Sequence, residues 1–286
     1  MSGISLPIAR ATTRRAPRFP QLGRIVAYTF LLAFLLYVVS PFVAILTMAF
    51  GQGWFEGRLF PESLTLRWFE WAVNVTHIPQ VLGNSFLIAA LCVLISLVIG
   101  VPTAWAIARR RIPAKSLLLT LVLLPKTIPP ITFALGASRE FYALHLVNTH
   151  IGVALAHAVL AMPFVVLIMT ATFEGLDERV FEAGRVCGGN WRRNAVHLAL
   201  PMALPGLMAA TLFALITSLN EFTLTLVTYG PGTLTLTVQT YLAIGDGFQE
   251  VASAISVILL LPSLALLVLI QRQIRPEAIL GGVKGL

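Results

Sequence analysis

Long apolar stretches without a charged side chain run through most of this chain. Five of them contain no Asp, Glu, Lys or Arg, at residues 25–55, 81–108, 141–173, 194–220 and 251–271. A sixth stretch, residues 116–138, is interrupted only by Lys126. A helix needs about 20 apolar residues to cross the hydrocarbon core of a bilayer. The pattern therefore predicts six membrane-spanning helices, at residues 25–48, 82–108, 116–138, 151–173, 203–227 and 251–270.

The composition supports an all-α, polytopic membrane protein. Of the 286 residues, 57% are hydrophobic and 11% are charged, against about 25% charged residues in an ordinary soluble domain. A soluble fold of this length has no means of covering so much apolar surface. This excludes soluble enzymes, secreted disulfide scaffolds and nucleic-acid-binding modules. The first apolar run is too long for a cleaved signal peptide, so we expect it to remain as a span.

The positions of the basic residues predict the orientation. Of the 20 Lys and Arg residues, 16 lie before the first span, after the second, after the fourth or after the sixth. Cytoplasmic segments of membrane proteins carry such an excess, so we expect both termini in the cytoplasm. The chain then divides into a basic arm (1–24), a six-helix membrane domain (25–270) with an extracytoplasmic loop at 51–80, and a cytoplasmic tail (271–286).

The cytoplasmic segment 174–201 has the pattern of a surface helix followed by a turn. Its apolar positions recur at steps of three and four, namely Phe173, Leu176, Val180, Ala183 and Cys187. This spacing predicts a helix with its apolar face against the membrane domain and its charged face towards the cytosol. Gly188-Gly189 ends that helix, and Asn190 is placed to cap a second short helix from Trp191. We expect Pro201 and Pro205 to end the second helix.

The same segment carries a spaced motif. It reads Glu182-Ala183-Gly184, Gly188, Leu198 and Leu200-Pro201. This resembles the EAA loop, E-A-A-x₃-G-x₉-I-x-L-P, of the permease subunits of type I ABC importers. Gly184 stands where the family has a second Ala, and Leu198 where it has Ile. The alternative is a plain amphipathic surface helix, which leaves the spacing unexplained.

The resemblance implies partners and a role. A family member pairs with a second permease subunit, for which we expect an unlike chain, and with two ATP-binding cassette subunits. A periplasmic binding protein delivers the solute to this complex in the bacterial inner membrane. Residues Glu182, Ala183, Gly184, Gly188, Leu198 and Pro201 are then expected to couple to the ATPase. The chain has no G-x₄-G-K-[ST] motif, so ATP and Mg²⁺ are expected on the partner, and this chain is expected to be a transporter subunit rather than an enzyme.

Shorter motifs resemble the polyamine (spermidine/putrescine) type of these permeases. They are residues 63–69, 83–86, 128–130, 218–222 and 230–232. Similar motifs occur in relatives that import phosphonates, opines, iron or thiamine, and an amino-acid-like solute is also possible. The expected solute is a polyamine, with these alternatives open.

The third and fifth spans carry the candidate path residues. Pro125, Pro129 and Pro130 are not expected to continue a regular helix, and broken helices often line a translocation path. Lys126 lies about 15 Å from the cytoplasmic end at helical rise, and an ionisable group at that depth is a functional candidate. Asn220 and Glu221 occupy the outer half of the fifth span.

Several pairings of these groups are open. Three arrangements of Glu221 are open: an ion pair with Lys126, a contact with a second permease, or a contact with a cationic solute. A free Glu221 favours a cation as solute, whereas Lys126 alone in the cavity favours an anion. The remaining candidates for metal or redox chemistry, His145, His150, His157, Cys92 and Cys187, lack metal-ligand spacing and are expected to be packing or interfacial residues.

Two other classes of protein compete with this interpretation. A stand-alone secondary transporter accounts for a broken helix but leaves the cytoplasmic motif unexplained. An intramembrane enzyme needs a nucleophile with a base at one depth, and the sequence shows no such set. Co-purification with an ATPase separates the importer from both.

Overall fold

The computed structural model describes residues 21–54, 60–110 and 112–273. It confirms an all-α membrane protein. The helices are α1 Gln21–Phe50, α2 Arg67–Asn74, α3 Ile78–Arg109, α4 Lys115–Thr127, α5 Pro130–Ala143, α6 His150–Glu174, α7 Glu178–Val186, α8 Trp191–Asn194, α9 Leu200–Leu219, α10 Thr223–Thr228, α11 Leu236–Gly245 and α12 Gln249–Gln273. Strands β1 Gly51–Gln52 and β2 Ser63–Leu64 form one short antiparallel pair. Most of the expected arm (1–24) and tail (271–286) lies outside the described residues.

The described residues hold five helices that are long and apolar enough to cross a membrane. The pair α4 and α5 makes a sixth crossing if the two count as one span, although they meet at 94°. The prediction of six spans is confirmed in this sense. The third crossing is bent rather than straight.

The break in the third span lies at Ile128 and Pro129, whereas Pro125 continues helix α4. The expectation that all three prolines interrupt the helix is therefore wrong for Pro125. Ile128 precedes a proline and adopts extended backbone (φ −85°, ψ 134°), because the following ring disfavours the helical conformation. Pro130 then occupies the first turn of α5, where its missing N–H costs no hydrogen bond.

The fifth span also differs from its predicted bounds, 203–227. One continuous helical run of 29 residues extends from Trp191 to Leu219 and includes a π-helical turn at Ala195–Ala199. Pro201 and Pro205 lie inside this run, so the expectation that they end the second cytoplasmic helix is wrong. The span stops at Leu219 and resumes as α10.

Helices α3, α6 and α9 form the main core. Small residues dominate the buried positions where they meet, including Ala104, Ala154, Ala161 and Ala210. A Cβ atom on Gly100 of α3 would lie 2.7 Å from Val165 Cγ1 of α6. In a membrane, where apolar side chains gain little by leaving lipid, small residues stabilise helix pairs by allowing close packing. The residues of α1 up to Ala44 form a separate unit, with apolar side chains that are largely exposed.

Candidate coupling loop and polar cluster

Two short helices with side-chain caps form the cytoplasmic segment between α6 and α9. Asp177 caps α7 by accepting a hydrogen bond from the Arg179 N–H at 2.9 Å. Asn190 caps α8 by accepting from the Arg193 N–H at 2.9 Å, as the sequence predicts. Gly188 turns the chain between them with a φ of +78°, a conformation that strongly favours glycine.

The predicted apolar face of this segment is correct only in part. Phe173 is buried and Leu176 and Val180 are half-buried, as expected. Ala183 and Cys187, expected to face the membrane domain, are exposed, while Phe181 and Gly184 are half-buried. The helix begins at Glu178 after a break, so residues upstream of the break do not set its rotation. Phe181 sets it instead by packing edge-on against Trp105 of α3, with ring centroids 5.9 Å apart.

Gly184 and Leu198, two positions of the EAA-like motif, lie against each other. A Cβ atom on Gly184 would lie 2.7 Å from Leu198 Cδ1 and 2.9 Å from Asn194 Oδ1. The packing therefore favours glycine where the family pattern has alanine. Glu182 is exposed beside them, and no hydrogen bond or ion pair joins its side chain to another residue within the described ranges.

Arg109 of α3 connects the cytoplasmic segment to the membrane domain by two contacts. Its Nη2 donates to the Leu176 carbonyl at 2.8 Å, and its guanidinium carbon lies 4.9 Å from the centroid of the Phe181 ring. A second link joins the same two parts of the chain, because Lys115, which follows Arg109, forms an ion pair with Glu174, which precedes Leu176. The sequence marks Arg109 only as a topology signal, since nothing links it to a position 67 residues away.

A polar cluster built around His157 joins α6, α9 and α10 inside the membrane domain. The ring is almost fully buried. His157 Nδ1 lies 2.7 Å from Ser218 Oγ, and Nε2 lies 2.7 Å from Thr225 Oγ1. His157 is thus a hydrogen-bonding centre rather than plain packing. Its helical position alone does not reveal the two hydroxyl partners, which come from distant parts of the chain.

Glu221 belongs to the same cluster. Its Oε2 accepts hydrogen bonds from the backbone N–H groups of Leu224 (2.9 Å) and Thr225 (3.0 Å) and lies 3.7 Å from His157 Nε2. The carboxylate therefore satisfies the free donors at the start of α10, where the helix dipole also favours a negative group. Asn220 is exposed, and its side-chain amide donates to the Ile216 carbonyl.

Lys126 lies apart from this cluster. Its Nζ is 4.6 Å from the centroid of the Phe164 ring, and the residue is exposed. Within the described residues, no ion pair of 4.0 Å or less joins Lys126 to Glu221. Pro129 and Pro130, at the bend that follows, are also exposed. Of the predicted path residues, the structure brings Glu221 to His157. Asn220 bonds to Ile216 of its own helix, and Lys126 contacts the Phe164 ring.

Two of the polyamine-like motifs meet at one end of α3. Asn84 Nδ2 donates to the carbonyls of Gly232 (3.1 Å) and Leu234 (3.2 Å). His150 Nε2 lies 3.1 Å from Asn84 Oδ1, and Ser85 Oγ accepts from the Leu236 N–H at 2.9 Å. These residues therefore have a structural role, because they join the loop 230–235 to α3.

Comparison with known proteins agrees with this architecture. Residues 96–279 match the model of the family described as binding-protein-dependent transport system inner membrane component. The sulfoquinovosyl glycerol transport system permease protein SmoH of Agrobacterium fabrum is 28% identical over 229 residues, 79% of this chain and 80% of that protein. The spermidine/putrescine permease PotC of Escherichia coli K12 is 22% identical over 86% of this chain and 93% of its own.

A solved structure shows the same fold. The structure of a bacterial ABC transporter that imports the acidic polysaccharide alginate contains a chain with a TM-score of 0.72 and 19% identity. The match covers 91% of this chain and 100% of that one. Because the family model matches well over half of the chain and the fold agrees, the protein belongs to the family of binding-protein-dependent inner-membrane components and is a permease subunit of an ABC importer.

Proposed function

We propose that this chain forms half of a solute path driven by a partner ATPase, and that the segment 178–201 carries the motion of that ATPase. The observation that carries the proposal is the exposed surface of α7. Val186 is 88% exposed, and Glu182 and Ala183 on the same helix and Cys187 directly after it are also exposed. Exposed apolar side chains rimmed by charge are typical of a protein interface. The inner side of the same segment is packed on α3 through Phe181.

The proposed complex contains two ATP-binding cassette subunits, a second permease and a periplasmic binding protein. This chain carries no phosphate-binding loop motif, so ATP and Mg²⁺ bind to the partner in this proposal. An unlike second permease follows from the polyamine-type resemblance. In this proposal both termini and the EAA-like loop lie in the cytoplasm of a bacterial cell, which is supported by the excess of basic residues in these segments.

A polyamine is the first candidate for the solute. It is supported by the short motifs and by the likeness to the spermidine/putrescine permease, which covers most of both chains. The relatives differ in what they carry, since one is a sulfoquinovosyl glycerol permease and a structural neighbour imports an acidic polysaccharide.

An anionic solute is the second candidate, and one observation favours it. The Glu221 carboxylate is 7% exposed and bonded to the backbone of α10, so it offers little to a cationic solute. Lys126 is exposed, and no carboxylate among the described residues lies within ion-pair distance of its Nζ. In this proposal, Lys126 would line the path together with Pro129 and Pro130 at the bend of the third span.

The coupling role is tested with Glu182→Lys in the complete complex, reconstituted in lipid with its binding protein. We expect the complex to assemble, while solute-stimulated ATP hydrolysis and uptake are lost. Glu140→Lys is the matched control, since Glu140 is also exposed but lies on α5. Normal uptake by Glu182→Lys would exclude the proposed coupling role. The absence of any co-purifying ATPase would exclude the importer complex itself.

The solute is tested with the same preparation. ATP hydrolysis is compared with putrescine and spermidine, and with phosphonates and other anionic solutes. Stimulation by a polyamine supports the first candidate, whereas stimulation by anions alone, lost in Lys126→Gln, supports the second.

A further inference from the structure

Two cavities lie side by side where α3 meets the cytoplasmic segment. The first has a volume of about 330 Å³, and its polar lining includes Arg109, Arg185 and Asn194. The second has a volume of about 430 Å³ and is mainly apolar, with Val101, Ala106 and Leu200 among its lining residues. Trp105, Trp191 and Ala195 line both cavities. The two therefore form one amphipathic recess.

The polar part of the recess carries positive charge that the described residues do not balance. Arg109 Nε is buried without a hydrogen-bond partner. Arg185 in the first cavity and Arg110 in the second are exposed, and their side chains form no ion pair within the described ranges. Glu178 is the acidic residue of the lining, and it pairs with none of the three. A guanidinium with a donor left unpaired, at the wall of a recess that two further arginines line, favours an anionic occupant.

The apolar part of the recess continues into a surface suited to lipid. Towards the middle of the bilayer, α3 exposes Val98 and Ile99, and α9 exposes Met202 and Leu204. Tryptophan is typical of the level where hydrocarbon meets the head groups, and Trp105 and Trp191 stand between the apolar and the charged parts. The arginines at the end of α3 place this level on the predicted cytoplasmic side.

We propose that the recess binds one anionic phospholipid of the cytoplasmic leaflet. The head-group phosphate lies where the two cavities adjoin, between Arg109 and Arg185 of the first and Arg110 of the second, and an acyl chain lies against the apolar lining of the second. Basic pockets between membrane helices on the cytoplasmic side bind acidic lipid head groups in this manner. The bound lipid contacts α3, α7 and α8 together, and so stabilises the packing of the cytoplasmic segment on the membrane domain.

The experiment measures lipid binding directly, so it is independent of the solute and of transport. The detergent-purified complex is titrated with phosphatidylglycerol or phosphatidylcholine of identical oleoyl chains, and the adducts are counted by native mass spectrometry. We expect one phosphatidylglycerol per copy of this chain to bind in clear preference to phosphatidylcholine. Arg110→Gln and Arg185→Gln should each weaken that adduct about fivefold, and the double variant about 25-fold, as expected for the loss of one and two interfacial arginines.

Two further variants separate charge from shape. Arg139→Gln makes the same charge change on α5, away from the recess, and should leave the adduct unchanged. Ala106→Phe fills the apolar cavity and should weaken both lipids. Equal binding of the two lipids by the wild type would overturn the proposal, as would an unchanged adduct in the double arginine variant. Displacement of the adduct by soluble glycerol 3-phosphate at equal concentration would also overturn it, because the site would then recognise a free phosphate and not a lipid.

Discussion

The hydrogen bonds of His157 give a prediction that can be worked from the structure. His157→Leu keeps a similar volume but removes the bonds to Ser218 Oγ and Thr225 Oγ1, both 2.7 Å long. Interhelical hydrogen bonds in membrane proteins contribute about 0.6 kcal/mol on average and up to about 1.7 kcal/mol. Two of them give about 1–3 kcal/mol, which lowers the unfolding midpoint by about 3–10 °C for a chain of this size.

The chain provides its own reporter for this measurement. It contains two cysteines, of which Cys92 is buried in the core and Cys187 is exposed. In a Cys187→Ser background, a thiol-reactive dye labels Cys92 only when the core opens. Fluorescence during heating in detergent therefore reports the unfolding midpoint of the membrane domain.

The matched control is His197→Leu in the same background. His197 is exposed, and among the described residues its ring hydrogen-bonds only to the Arg193 carbonyl of its own helical run. We expect its midpoint to stay within about 1 °C of the parent, in line with surface substitutions generally. If His157→Leu and His197→Leu unfold at the same temperature, the His157 cluster does not stabilise the fold and the reasoning is refuted.

Two further predictions concern the other polar contacts. Glu221→Ala removes the cap of α10 and should lower the same midpoint by about 2–4 °C, the equivalent of about 1 kcal/mol for a lost cap; Glu221→Gln keeps an acceptor and should lose less, and equal losses in both would argue against the cap. Asn84→Ala removes the donors to Gly232 and Leu234, so amide hydrogen exchange in residues 230–236 should accelerate while exchange in α6 stays unchanged. Unaltered exchange at 230–236 would show that the contact does not order this loop.

Local features of the cytoplasmic segment were predictable because they depend on neighbouring residues. The cap at Asn190 and the turn at Gly188 each follow from the chemistry of one residue. The face of α7 was predictable at Val180 but not at Ala183 and Cys187, because Phe181 also faces inward and packs against Trp105 on a distant helix. The positions of helix breaks were predictable only in part. Pro129 follows the end of α4 as expected, yet Pro125 and Pro205 remain inside helices, so a proline by itself does not fix where a helix ends.

The sequence by itself determined the class of the protein, the number of apolar crossings and the EAA-like motif. These depend on the length of the apolar runs, which the bilayer requires, and on the spacing of residues along the chain. Only the tertiary structure decided which polar groups meet. It joined Glu221 to His157 and to the backbone of α10, left Lys126 on the Phe164 ring, and brought Arg109 to Leu176. Such partners lie on different helices, and their contact depends on how the helices pack and rotate, which no local pattern encodes.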